Sequence, residues 1–182
     1  MLTLTVPASD SVRLWDEKNE VFYIKQAFKG GTVKLEHSLI SISRWEEKWC
    51  KPFLSTDKTE EELNDYIHCM AINQQDDTIF NYLTQENYAQ IAEYLERPMT
   101  ATTFPKEKSG RKKIITSELV YYWMVELGIP FECEKWNIKR LLVLIRVTEL
   151  ERTPKKKVSR RELVNQYAEL NAARRAKLHT KG

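Results

Sequence analysis

The sequence predicts a mainly α fold with a small N-terminal antiparallel β-hairpin or sheet, an α+β chain of five to seven helices. Three observations predict it. Up to Leu35 the apolar residues alternate with polar ones or form short β-branched and aromatic runs, and Gly30-Gly31 separates two of these runs. From Ser38 onward the apolar spacing changes to three and four, the period of an amphipathic helix. Hydroxyl residues then precede several helical runs, and Thr59 and Ser159 each have glutamate three places on, the signature of a capped helix start.

Residues 1–36 read as a small β element packed on the helices. Met1 to Thr5 alternates and then meets Pro7. Val21-Phe22-Tyr23-Ile24 and Thr32-Val33-Lys34-Leu35 are expected to pair across Gly30-Gly31, with Met1 to Thr5 as a third strand. Residues 37–98 read as an acidic helical part. Ile42, Trp45 and Trp49 share one helical face, and Pro52 ends that helix. Thr59 and Glu62 form a capping box ahead of Leu63, Tyr66, Ile67 and Met70, and Glu60, Glu61 and Glu62 suit the positive end of the helix dipole. Asp76 or Asp77 caps a short turn through Ile79, Phe80 and Leu83. The helix starting near Thr84 is expected to turn Tyr88, Ile91, Ala92 and Leu95 inward and to stop at Pro98.

Residues 99–115 read as a loop or linker, since Pro98 to Lys113 holds two prolines, one glycine and no apolar period. This stretch is either a domain boundary or a long loop within one domain. Residues 116–150 read as a central helical hairpin. Thr116 or Ser117 caps its first helix, Leu119, Val120, Trp123, Met124 and Leu127 line one face, Gly128 suits the C′ position, and Pro130 prevents continuation. The second helix, about Lys135 to Glu149, is apolar on most of its circumference and is therefore expected to be central, packed antiparallel on the first. Residues 151–182 read as a basic C-terminal helix and tail. Ser159 and Glu162 form its capping box, and Leu163, Val164, Tyr167 and Leu170 are expected to dock its first half.

Composition narrows the function classes. At 182 residues, 42% hydrophobic and 30% charged, the chain can bury a core without disulfides or a metal. Three widely spaced cysteines, Cys50, Cys69 and Cys133, make no disulfide framework and read as small buried hydrophobes in a reduced cytosolic compartment. No apolar run reaches the roughly 20 residues that cross a bilayer. Metal-ligand spacings such as CxxC, HExxH or an EF-hand loop are missing, and His68 and Cys69 are adjacent, which on a helix points them apart. The acidic clusters sit where helix starts favour them, and no nucleophile elbow orders Ser, His and Asp. The expectation is a non-enzymatic protein with no cofactor, no metal and no catalytic residue. His37 reads as a hydrogen-bonded residue at the strand-to-helix junction.

Charge and aromatics point to binding. The net charge of +3 conceals an acidic half, Met1 to Pro105, with 10 Lys+Arg against 17 Asp+Glu, and a basic remainder with 19 against 9. Lys155, Lys156, Lys157, Arg160, Arg161, Arg174, Arg175 and Lys177 form a candidate electrostatic docking surface, for an acidic protein face or for nucleic acid. Interleaved aromatics are nearly absent from it, which favours the protein partner. The opposed halves also suggest self-association, with copies ordered head to tail. Trp45, Trp49, Tyr121, Tyr122 and Trp123 are the candidate protein-binding aromatics, or else they complete the core.

Five runs resemble a family from long-tailed bacteriophages. They are HSLISISRWEEKWCKPFLS (37–55), DYIHCMAIN (65–73), RPMTATTF (97–104), IITSELVYYWMVELGIPFECEKWNIKRLLVLIRV (114–147) and NAARRAKLHTKG (171–182). The family is that of the tail assembly chaperones, encoded near the tape measure protein. The resemblance implies a largely helical, non-catalytic protein of the host cytoplasm. It would coat the helical tape measure protein during tail morphogenesis and be absent from the finished virion. Many such proteins also exist in a longer, frameshifted form. The N-terminal β element departs from a purely helical pattern and leaves a structural neck or tail component as the alternative.

Overall fold

A computed structural model describes residues 1–72, 77–104, 114–153 and 160–178. The chain forms two compact units, Met1–Glu149 and Leu150–Gly182. The first holds four strands: β1 (Leu2–Val6), β2 (Val12–Asp16), β3 (Val21–Lys25) and β4 (Gly31–Leu35). It also holds α1 (Leu39–Trp49), α2 (Glu60–Cys69), a 3-10 segment (Asp77–Tyr82), α3 (Gln85–Glu96), α4 (Ser117–Glu126) and a second 3-10 segment (Phe131–Lys135). Helix α5 (Ile138–Arg152) runs across the division, and α6 (Arg160–Leu178) belongs to the second unit. The fold is thus mainly helical with a small N-terminal antiparallel β element, as the sequence predicts.

Strand pairing differs from the expectation. β1 pairs with β4, Leu2 opposite Leu35 and Val6 opposite Gly31, while β3 pairs with β2, Val12 opposite Lys25 and Asp16 opposite Val21. A bridge at Ser9–Phe28 keeps the same register between the two ladders, so the first 35 residues fold as one long interrupted hairpin. Gly30-Gly31 is therefore not a hairpin turn. Gly30 has φ 82 and sits so close to the opposite strand that a Cβ would lie 3.0 Å from the Ala8 nitrogen, which only glycine tolerates. The real turn, Glu17 to Glu20, contains neither glycine nor proline. Its left-handed position is taken by Glu20 (φ 52), and Asp16 closes it by accepting from the Lys18 and Asn19 amides at 3.0 and 3.2 Å.

The inner ladder buries Leu4, Val6, Val33 and Leu35, each side chain contributing on the order of 1.5–3 kcal/mol. Helix α3 lies against β1, where the Asn87 amide donates to the Thr5 carbonyl at 3.1 Å. That bond fixes the helix face. Asn87, Ile91 and Tyr94 turn inward, whereas Tyr88 and Ala92, expected inward, are exposed.

Helix α1, not α5, is the hub, packing on α2, α4 and the second 3-10 segment. Ser38 caps it and Cys50, in the left-handed conformation, ends it ahead of Pro52. The capping boxes at Thr59–Glu62 and Thr84–Asn87 start α2 and α3. Thr116 caps α4, and a Schellman turn closes it, with Gly128 (φ 63) bonding back to Val125 and Ile129 to Met124. Helix α4 packs mainly on α1, and the expected antiparallel pairing with α5 is replaced by the intervening 3-10 segment. Ile138, Leu141 and Ile145 of α5 are buried and Leu142 and Leu144 pack half-buried against the core, whereas Val147 and Leu150 are exposed. Because α3 and α4 belong to one unit, the stretch between them separates no compact units. Ser159, Asp76 and Lys155 to Lys157 lie outside the described residues.

Candidate protein-binding surfaces

The expected aromatics divide sharply once their partners are known. Trp45 is 0% exposed and donates from Nε1 to the Glu62 carbonyl at 2.8 Å. It packs edge-on against Phe53 and belongs to the core, so it offers nothing to a partner. Trp49 is half-buried and donates to Asp65 at 2.8 Å. Tyr121 is half-buried and donates to Glu134 at 2.9 Å; burial and that carboxylate raise its pKa. Trp123 is half-buried on α4. Of the five, Tyr122 alone is exposed, at 58%, beside exposed Val125 one turn on.

The larger apolar surface lies where the sequence did not direct attention. In the β2–β3 ladder, Trp15 faces Phe22 and Arg13 faces Ile24 on one side, while Leu14 faces Tyr23 and Asp16 faces Val21 on the other. Trp15 and Phe22 rings meet at 4.6 Å, with the Arg13 guanidinium 4.2 Å from the Phe22 centroid. Val12, Trp15, Val21, Phe22, Tyr23 and Ile24 are nevertheless all exposed. Among the described elements, the two strands pack substantially only on each other. Only the base is anchored: Tyr82 stacks on Phe28 at 4.6 Å, donates to the Gln26 carbonyl at 2.9 Å and lies under Lys25. A two-stranded hairpin is marginal in water by itself, so an aromatic one projecting from a well-packed body is an unusual surface.

Helix α6 supplies a second surface. Val164, Tyr167 and Leu170 are exposed rather than buried as expected. Arg174, Arg175 and Lys177 are also exposed, and Arg160 and Arg161 lie in the first turn of the helix.

A buried polar junction links β4, α1, α2, α3 and α5. His37 Nδ1 meets the Tyr66 hydroxyl at 2.5 Å. Tyr94 donates to Glu36 at 2.5 Å, and the Met1 amine pairs with the other Glu36 oxygen at 2.6 Å. The Ile138 amide bonds the His37 carbonyl at 2.7 Å. Burial, reinforced by Lys139, pushes His37 down to about 4, and burial raises the Tyr66 hydroxyl well above its ordinary value. A neutral imidazole held this way is a structural member, as expected of His37. The partners scatter along the sequence from Met1 to Ile138, so no local motif marks the junction.

No group of three or more His, Cys, Asp or Glu is placed to hold a metal among the described residues. An open depression of about 590 Å³ beside α1 and α2 includes Glu36, Arg44, His68, Cys69 and Asp77. Burial pushes the Cys69 thiol up to about 11, so it is a protonated thiol rather than a nucleophile at neutral pH. Cys133 is buried, but Cys50 is exposed at the end of α1, unlike the small buried hydrophobe expected there. Among the described residues no helix is long and apolar enough to cross a membrane. Comparison of the chain with protein-family models, curated proteins and solved structures finds no match.

Proposed function

We propose that this chain is a non-catalytic tail assembly chaperone of a long-tailed bacteriophage, working in the host cytoplasm and covering the tape measure protein before the tail tube forms. The observation that carries this reading is the projecting β2–β3 hairpin, whose six exposed apolar residues find no cover among the described residues. A tape measure helix with repeated apolar stripes would need such cover to stay soluble, and uncovered aromatic side chains are the residues that anchor such contacts. The resemblance of the runs at 37–55 and 114–147 supports the phage assignment. Tyr122 with Val125 on α4, and Val164, Tyr167 and Leu170 on α6, are further exposed apolar residues suited to contact with a client. The basic residues Arg174, Arg175 and Lys177 supply docking to an acidic protein face.

Co-expression with the virus's own tape measure protein tests this. The expected result is that the tape measure protein moves from the pellet to the soluble fraction and that this chain is missing from purified virions. Recovery of the chain in virions, with no effect on solubility, would favour the second reading, a structural neck or tail component. The β element favours that reading, since an exposed hairpin is also suited to adding strands to a neighbouring subunit. Contact with nucleic acid through α6 would appear instead as a salt-sensitive mass increase with DNA.

A further inference from the structure

We infer that the outer edge of β3 is a dimerisation edge, pairing antiparallel with β3 of a second copy to make one four-stranded sheet. This contact does not depend on what the client is.

Four observations on the hairpin lead to it. First, β2 and β3 form a two-stranded sheet, so among the described residues no strand pairs with the far side of β3. An exposed apolar edge of that kind is a template for another strand. Second, its apolar residues leave both faces uncovered, and three or more strands are what stabilise such a ladder. Third, β3 (VFYIK) is self-complementary about its centre. A two-fold axis at Tyr23 sets Tyr23 beside the partner's Tyr23 and Phe22 beside the partner's Ile24. Aromatic against β-branched is a favourable cross-strand pair.

Fourth, charge fits the antiparallel arrangement and opposes the parallel one. The tip, 16–20, carries Asp16, Glu17 and Glu20 against Lys18, while the base of the same strand, 25–29, carries Lys25 and Lys29 with no acid. Antiparallel pairing lays each acidic tip along the other copy's basic base. Residues 12–25 balance three acids against three bases, so the arm is neutral within an acidic half and two copies approach through it without net repulsion. The contact is isologous and closes as a dimer, unlike the head-to-tail order that whole-chain charge asymmetry suggests. Closure also doubles the aromatic sheet offered to a client.

The test uses the full chain with Cys50→Ser, Cys69→Ser and Cys133→Ala. In antiparallel pairs, opposed Cα atoms lie about 4.5–5.5 Å apart, inside the range a disulfide spans. Adding Tyr23→Cys should therefore give a covalent dimer under mild oxidation, while Val12→Cys, on the far strand, should give at least tenfold less. Light scattering of the unmodified protein should show a mass of twice 21.5 kDa at high concentration. Tyr23→Lys, which sets two like charges at the axis, should weaken the dimer at least tenfold, and raising the salt should weaken the native dimer several-fold. Circular dichroism confirms that the helical body is intact in each variant. A native chain that stays monomeric throughout, equal cross-linking from Val12→Cys, or an undiminished dimer in Tyr23→Lys would overturn the inference.

Discussion

Trp15 and Phe22 meet across the β2–β3 ladder with ring centroids 4.6 Å apart, and each still leaves about half its surface to solvent, 49% and 57%. Each ring shields the other on one side only. The pair holds the hairpin together without tying it to the body. Replacing both with serine, Trp15→Ser and Phe22→Ser, should therefore leave global stability within roughly 0.5 kcal/mol, as for most surface changes. Partner binding should fall by about 2 kcal/mol or more, a loss of roughly thirtyfold, if this pair is an anchor. Denaturant titration and a binding titration on the same sample separate the two effects.

Trp45 should behave in the opposite way. Its ring is fully buried against Phe53 and its indole nitrogen bonds to α2. Trp45→Ala should cost about 3–5 kcal/mol of stability. Tyr122→Ala, on the exposed side of α4, should cost no more than about 0.5 kcal/mol. Ile145→Ala, on the buried stripe of α5, should cost about 2–5 kcal/mol. Thermal unfolding of the three variants checks the order.

Glu46 ties three elements together. One carboxylate oxygen accepts from the Phe53 amide and the other from the Ser117 amide at the start of α4, both at 2.7 Å. The side chain is buried, so truncation leaves two donors unsatisfied beside a helix N-terminus. Glu46→Ala should cost about 2–6 kcal/mol, on the basis of roughly 1–3 kcal/mol for each of the two orphaned buried donors. Glu46→Gln, which keeps one acceptor, should recover part of it. Amide exchange at Phe53 and Ser117 should report the change locally.

Acid should unfold this protein partly through His37. Its folded pKa is about 4 and its ordinary value 6.5. The unfolded chain therefore takes up a proton first as pH falls. The stability that neutral His37 contributes is complete above pH 6.5, declines from there, and is gone once pH drops below about 4, a total of roughly 3 kcal/mol. Lys139 and Lys58 oppose the imidazolium and Glu36 favours it, while Tyr66 bonds the ring. His37→Gln should flatten the stability profile between pH 6.5 and 4, measured by chemical denaturation at each pH.

Local signals in the sequence were legible where one physical device acts within a few residues. The Thr59–Glu62 box, the Thr116 cap and the Gly128 turn lie where residue chemistry places them. The pairing of the strands was not legible. Strand β2 (VRLWD) has a tryptophan beside an aspartate, and the turn after it uses Asp16 and Glu20 in place of the usual glycine. Gly30-Gly31 imitates a hairpin turn but serves a close backbone crossing. The inward face of α3 was misplaced because Asn87 points in to meet a strand backbone 82 residues away, a reason no helical period contains. Among candidate site residues, aromatic identity marked Trp45 and Tyr122 alike, and only packing separates them.

The most direct test of the central claim is purification of this chain with its tape measure protein, followed by the mass of the complex from light scattering. The account predicts a soluble complex that carries several copies of this chain per client, survives high salt, and is lost in the Trp15→Ser, Phe22→Ser variant. A tape measure protein that remains insoluble, or a complex indifferent to the hairpin variant, would contradict it.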